Sequence, residues 1–180
     1  MSKKIVVLVG SPRKEGNSEL LAKAFVKGAE SAGNQIDVFL LSEHKINPCI
    51  ACEYCFKNLG QCVQKDGMQG IYAKLYEADA VVFSSPIYYF GLTAQIKSAI
   101  DRFFVCASKP FPITSSALLL AFEDTSSEAG EPAIANYKAM LKYLKWQDLG
   151  IVTAENVYEK GAIVGHRALL QAEELGKSIR

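Results

Sequence analysis

Apolar positions along this chain follow two periods that take turns, one typical of buried strands and one of amphipathic helices. Lys3 to Val9 is a short run, continuously apolar and mostly β-branched from Ile5 on, the pattern of a strand covered on both faces. Glu19 to Ala32 follows, with Leu20, Leu21, Ala24, Phe25 and Ala29 at helical spacing. Gly33-Asn34 ends that helix, because both residues tolerate left-handed dihedrals. Gln35 to Leu41 reads as a second strand. An irregular stretch rich in Cys, Asn, Pro and Gly then runs from Ser42 to Gly67. Beyond it the pattern predicts a helix over Gly70–Glu77 and a third buried strand over Ala80–Ser84. A helix over Leu92–Phe104 and a strand over Ala117–Phe122 come next, then a helix over Pro132–Lys145, a strand over Asp148–Ala154 and a closing helix over Ala168–Ile179.

Strands alternating with helices at this spacing call for right-handed crossovers and a parallel sheet. Five strands suit the doubly wound, flavodoxin-like order 2-1-3-4-5 better than a six-stranded dinucleotide fold. No internal repeat, low-complexity tract or linker interrupts the pattern, so one α/β domain over residues 1–180 is expected.

Composition narrows the function classes. With 20 basic and 19 acidic residues the net charge is +1, which is no footprint for nucleic acid or an anionic membrane. Apolar runs such as Ala117 to Phe122 are too short to span a bilayer, and Ile5 to Val9 is too short for a signal peptide. The expectation is a soluble cytoplasmic protein whose five cysteines are thiols or metal ligands.

In a sheet of this order, ligands collect beyond the carboxyl ends of strands one and three, where the order reverses. Two loops meet there. The first, Gly10 to Ser18, offers glycines that free the turn, Asn17 or Ser18 as a helix cap, and backbone N–H groups that favour an anion. Ser11 and Ser18 add hydroxyls, and Arg13 can pair with a phosphate. It matches neither the ATP-type phosphate loop nor the dinucleotide fingerprint, and an ordinary capped turn would also use these residues. The second loop, Ser84 to Gly91, carries Tyr88, Tyr89 and Phe90, suited to stacking on a flat heteroaromatic ring or to a subunit interface. Gly10 and Ser84 stand where a phosphoacceptor receiver domain needs acidic residues. No cysteine is followed six residues later by Arg, which excludes a small phosphatase loop. A phosphate cradle facing an aromatic stack points to a mononucleotide with a reactive ring, FMN.

Gly10-Ser-Pro-Arg…Gly-Asn-Ser18, Ser85-Pro-Ile-Tyr88 and Ile96-Lys…Asp101-Arg102 resemble the NAD(P)H-dependent FMN reductases of the flavodoxin-like superfamily. The resemblance implies a homodimer or homotetramer that binds FMN, takes hydride from NADPH or NADH and passes electrons to a small-molecule or protein acceptor. It implies that Ser11, Arg13, Asn17 and Ser18, in a turn freed by Gly16, hold the phosphate. Pro86, Ile87, Tyr88 and Tyr89 would line the ring, beside Phe90. Direct hydride transfer to the flavin requires no general acid or base, so no catalytic residue is assigned. Asp101-Arg102 reads equally as a helix-end ion pair. Relatives often carry a glycine-rich loop after strand four, whereas this chain has Phe122-Glu123-Asp124-Thr125-Ser126-Ser127, a loop to which the resemblance gives no role.

Cys49, Cys52, Cys55 and Cys62 form C-x2-C-x2-C-x6-C within the irregular stretch. Thiolates at successive three-residue steps wrap naturally around one iron–sulfur cluster, with the fourth ligand from nearby chain. A structural zinc site more often pairs separated knuckles, and a redox dithiol would open a thioredoxin-type helix. The spacing resembles that of iron–sulfur flavoproteins and implies a possible 4Fe–4S cluster, an electron-carrier alternative to the hydride-transferring enzyme. Some relatives keep several such cysteines without a cluster. Cys106 reads as a small core residue, and His44 and His166 as surface residues.

Overall fold

The computed structural model describes residues 2–180. In chain order the elements are β1 (Lys4–Val9), α1 (Asn17–Ser31), β2 (Gln35–Leu40), α2 (Tyr54–Lys57), α3 (Met68–Leu75), β3 (Ala80–Tyr88), β4 (Gly91–Leu92) and α4 (Ala94–Asp101). They continue with β5 (Ser115–Ala121), α5 (Glu131–Leu144), β6 (Gln147–Ala154) and α6 (Arg167–Ser178). The five long strands pair in parallel in the order β2-β1-β3-β5-β6, and the two-residue β4 pairs with β3 alone. Once β4 is set aside, this is the order 2-1-3-4-5 that the alternating pattern implies.

The inner strands β1, β3 and β5 lack a polar face because helices cover both sides. Ile5, Val7 and Val9 of β1 pack with Val82, Leu119 and Phe25 beneath α1 and α6. Val6 and Leu8 point the other way and join Phe83, Leu118, Leu75 and Tyr137 beneath α3 and α5. Two glycines bring α1 against α6. A Cβ on Gly28 would collide with the Glu173 carbonyl, and one on Gly176 with the Phe25 carbonyl. Backbone touches backbone there, so these positions exclude any side chain.

Most boundaries lie within two residues of the sequence pattern, and the largest differences are in β3 and α4. β3 continues through Pro86, paired with Ala121, to Tyr88, and then turns back into β4. Tyr89 and Phe90 form the turn, both in the left-handed region at φ 46° and 62°. Two-residue hairpin turns of this kind normally carry Asn or Gly, so two aromatics gave no turn signal. Leu92 is therefore strand, and α4 starts only at Ala94. There the Thr93 amide donates to Ser85 Oγ at 3.2 Å, and Thr93 Oγ1 donates to the Gly10 carbonyl at 2.8 Å. The helix ends at Asp101 and tightens into a 3₁₀ segment, Arg102–Ala107. No helix among the described residues is long and apolar enough to cross a membrane.

Candidate functional site

A cleft of about 340 Å³ opens beyond the carboxyl ends of β1, β3 and β5. Ser11, Arg13, Asn17, Ser18, Pro86, Ile87, Tyr88 and Tyr89 all line it, so the two loops singled out in the sequence face each other. Gly16 sits at its edge as the N-cap of α1. Phe90 does not line the cleft; it is 61% exposed beyond the Tyr89 turn.

The polar end differs in detail from expectation. Neither Asn17 nor Ser18 caps α1, because the helix begins at Asn17 and Gly16 offers no side chain. A glycine cap costs only about a few tenths of a kcal/mol against a capping side chain, and it leaves the first-turn amides open toward the cleft, where the helix dipole favours an anion. The Asn17 carboxamide is spent elsewhere. Its Nδ2 donates to the Val157 and Glu159 carbonyls at 3.0 and 2.9 Å, and its Oδ1 accepts from the Gly161 and Ile163 amides at 3.0 and 3.3 Å. Asn17 thus straps down the loop after β6. Ser11 Oγ accepts from the Arg13 amide at 3.2 Å and shapes its own turn. Ser18 accepts at its carbonyl from Ser84 Oγ at 2.7 Å, which ties the phosphate-type loop to β3. Glu19 accepts from the Glu15 amide at 2.6 Å and pairs with Lys23. Burial works against the Glu19 charge, but Lys23 and that amide outweigh it and pull the carboxyl below its ordinary range.

Arg13 reaches across the cleft mouth. Nη1 donates to the Tyr158 carbonyl at 2.9 Å, and the guanidinium lies 5.5 Å from the Tyr158 ring centroid. Its other N–H groups have no protein partner in this contact and remain available to an anion. Val157 and Tyr158, with Ala121, Phe122 and Glu123, complete the cleft. None was picked out as a ligand-contacting residue in the sequence, since they carry no motif; only their place after β5 and β6 at the same sheet end marks them. The loop after β5, left without a role by the resemblance, is therefore a wall of the site. An uncapped helix start with a basic fork at one end and an aromatic, largely apolar wall at the other fit the phosphate and the flat ring of FMN.

The four cysteines border a second, smaller pocket with Tyr72, Arg102, Phe104 and Val105. It lies on the flank formed by α3 and the segment after α4, not at the carboxyl-end crevice. Cys49 and Cys52 are exposed, Cys62 is half-buried, and burial pushes the Cys55 thiol up. Among the described residues no three Cys, His, Asp or Glu side chains are grouped as ligands of one metal ion. The open space is about 20 Å³, less than a four-iron cluster fills, and it is bordered by the exposed Cys49 and Cys52. Two observations fit an anionic, sulfur-rich group there. Ala51 and Glu53, between the cysteines, are left-handed at φ 51° and 55°, the kind of turn that gathers backbone N–H groups into anion-binding nests. The second is Arg102, 1% exposed, whose Nε is buried without a partner. An unmade buried bond costs about 1–3 kcal/mol.

Arg102 is no helix-end partner of Asp101, which pairs with Lys97 instead. It turns inward, donating from Nη1 to Asp66 Oδ2 at 2.8 Å and to the Asn47 carbonyl at 3.0 Å, and from Nη2 to Asp66 Oδ1 at 3.3 Å. Burial works against the Asp66 charge, but Arg102 and the Asn47 and Met68 amides outweigh it and hold the carboxyl low. Cys106 packs at the core edge, its thiol pushed up to about 12 by burial. His166, which carries no motif in the sequence, caps α6 through Nδ1, which accepts from the Ala168 amide at 3.1 Å.

Comparison with known proteins agrees with this geometry. An iron–sulfur flavoprotein of Archaeoglobus fulgidus is 39% identical over 107 residues, 59% of this chain and 48% of its own length. An iron–sulfur flavoprotein of Methanosarcina thermophila is 34% identical over 110 residues, 61% of this chain and 57% of its own. The chain thus spans about half the length of the curated relatives it matches. The solved structure of an NAD(P)H:quinone oxidoreductase from Methanothermobacter marburgensis shares the fold, with a TM-score of 0.77 over 98% of this chain and 96% of that one at 16% identity. The family model described as NADPH-dependent FMN reductase matches residues 3–153, and the chain belongs to that family.

Proposed function

We propose that this chain is an FMN-dependent oxidoreductase that takes hydride from NADPH or NADH and passes electrons to a small-molecule or protein acceptor. The observation that carries this reading is the cleft itself, where the bare start of α1 and Arg13 face the Pro86–Tyr89 wall. Bound FMN would supply the hydride-accepting ring. The residues supply placement. The first-turn amides of α1, with Arg13 and Ser18, would hold the phosphate, and the turn shaped by Ser11 and Gly16 would let the backbone approach it. Pro86, Ile87, Tyr88 and Tyr89 would lie along the ring and keep water from that side, with Phe122 and Tyr158 closing the cleft. Anaerobic mixing of the FMN-loaded protein with NADPH and with NADH tests this. Rapid bleaching of the yellow absorbance by at least one donor is expected; a flavin that stays oxidised with both overturns the reading.

A second reading is favoured by the cysteine pocket and by the names of the curated relatives. Cys49, Cys52, Cys55 and Cys62 would hold a 4Fe–4S cluster, which supplies one-electron transfer, and the protein would relay electrons between partners. Stoichiometric cluster iron with poor NAD(P)H oxidation selects this reading over the first. Five cysteines without a disulfide among them suit a reducing cytoplasm under either. Either way, the exposed Tyr89 and Phe90 turn supports a homodimer or homotetramer built across it. Light scattering that finds an FMN-loaded monomer at micromolar concentration refutes the assembly.

A further inference from the structure

The buried arginine beside the cysteines has more donors than its partners use. Asp66 and the Asn47 carbonyl take the two terminal nitrogens, while Nε has nothing. An arginine kept for the Asp66 pair alone could sit with Nε toward water. Instead the side chain is 1% exposed and forms a wall of the pocket that all four cysteines border. A guanidinium beside four thiolates opposes their combined charge, and an N–H without a partner suits a sulfur acceptor. Tyr72 holds the arrangement from behind. Its hydroxyl donates to the Arg102 carbonyl at 2.8 Å, and its ring lies 5.9 Å from the guanidinium.

We infer that Arg102 is a positioning and tuning residue for a sulfur-ligated cluster at Cys49, Cys52, Cys55 and Cys62, its Nε–H donated to the sulfur array and its charge raising the reduction potential. The inference rests on the cluster reading above and assigns a role within it. One-electron reduction adds a negative charge at the pocket without making or breaking a bond, so a fixed positive charge there favours the reduced form. Asp66 works in opposition, since its carboxylate partly cancels the guanidinium.

That opposition gives the test its sign. The full chain is purified anaerobically and reconstituted with iron and sulfide as wild type, Arg102→Lys and Asp66→Asn. Iron and sulfide per chain, circular dichroism and the midpoint potential by titration under EPR are measured. Lysine keeps a charge for Asp66 but lacks Nε, so its potential should fall. The expected change is roughly tenfold in the reduction equilibrium, about 59 mV for one electron. Asp66→Asn leaves Nε in place and removes the opposing charge, so its potential should rise. Loss of the cluster from a folded, FMN-loaded Arg102→Lys chain removes the fork to Asp66 and the Asn47 carbonyl together with Nε, so the double variant Arg102→Gln with Asp66→Asn decides that case as well. If Arg102→Lys fails to fold, the double variant Arg102→Gln with Asp66→Asn removes both ends of the pair, and its potential should lie below that of Asp66→Asn alone. An unchanged potential in Arg102→Lys, or shifts of the same sign in the two single variants, overturns the inference and makes Arg102 a scaffold. Wild type that holds no cluster iron overturns the cluster reading itself, and the iron assay separates that failure from the first.

Discussion

Replacing Asn17 by alanine separates a strap from a phosphate ligand. Four hydrogen bonds of the carboxamide, from 2.9 to 3.3 Å, tie α1 to the loop after β6. Two of them, to the Val157 carbonyl and from the Ile163 amide, are buried, and each stranded partner costs about 1–3 kcal/mol. The bonds to Glu159 and Gly161 are part-buried, so water replaces much of their worth. The sum is about 3 kcal/mol, which for a chain of this length lowers Tm by roughly 6–12 °C. The measurement is urea and thermal unfolding of the ligand-free protein, followed by circular dichroism. Asn17→Asp should be worse than alanine at neutral pH, because a carboxylate oxygen would face two carbonyls. If ligand-free Asn17→Ala unfolds within about 0.5 kcal/mol of wild type, as a surface substitution does, the strap is refuted. FMN binding lost on its own would then return Asn17 to the phosphate.

Arg13→Ala should weaken FMN more than riboflavin, by roughly 10- to 100-fold, since a charge-assisted contact is worth about 1.5–3 kcal/mol; equal losses in fluorescence titrations would remove Arg13 from the phosphate. Gly176→Ala puts a Cβ into the Phe25 carbonyl and should destabilise by about 1–3 kcal/mol or more in thermal melts, with unchanged stability ruling out the close α1–α6 contact. Asp66 sits below its ordinary carboxyl range, so its pair stabilises the fold above the unfolded pKa, roughly 4, and that contribution is lost as pH falls through the lower folded value. The deficit of Asp66→Asn against wild type in urea melts should therefore be full at pH 7 and shrink below pH ~4; a deficit that grows with acid contradicts the pairing.

Much of the cleft was legible because its parts are local. A strand that stops at Gly10, a helix that starts within a few residues, and an aromatic run after the third strand each announce themselves over short spans. What stayed hidden depends on chain brought back from far away. Asn17 looks like a cap in sequence, yet the backbone groups it serves lie some 140 residues on. Tyr158 stands in a stretch without periodicity or motif and enters the site only because β6 ends beside β5. Arg102 next to Asp101 suggests a surface pair, and arginine is rarely buried. Its true partner, Asp66, lies in the irregular stretch, where no pattern could assign a neighbour.

Helix α4 links the two sites through its ends. Thr93, just before it, is bonded to Gly10 and Ser85 beside the cleft, and Arg102, just after it, is bonded to Asp66 and Asn47 beside the cysteines. Its eight residues span about 12 Å at the usual rise. The inner face is anchored by Ile96 and Ala99, both fully buried. The Cβ that Gly10 lacks would strike Ile96, so strand one and this helix are pressed together at the cleft end. A spacer held by buried hydrogen bonds at the Thr93 end and part-buried ones at the Arg102 end has little freedom to bend, so the separation between cleft and pocket is set by the fold. Any exchange of electrons between them within one chain would then need no hinge or domain closure.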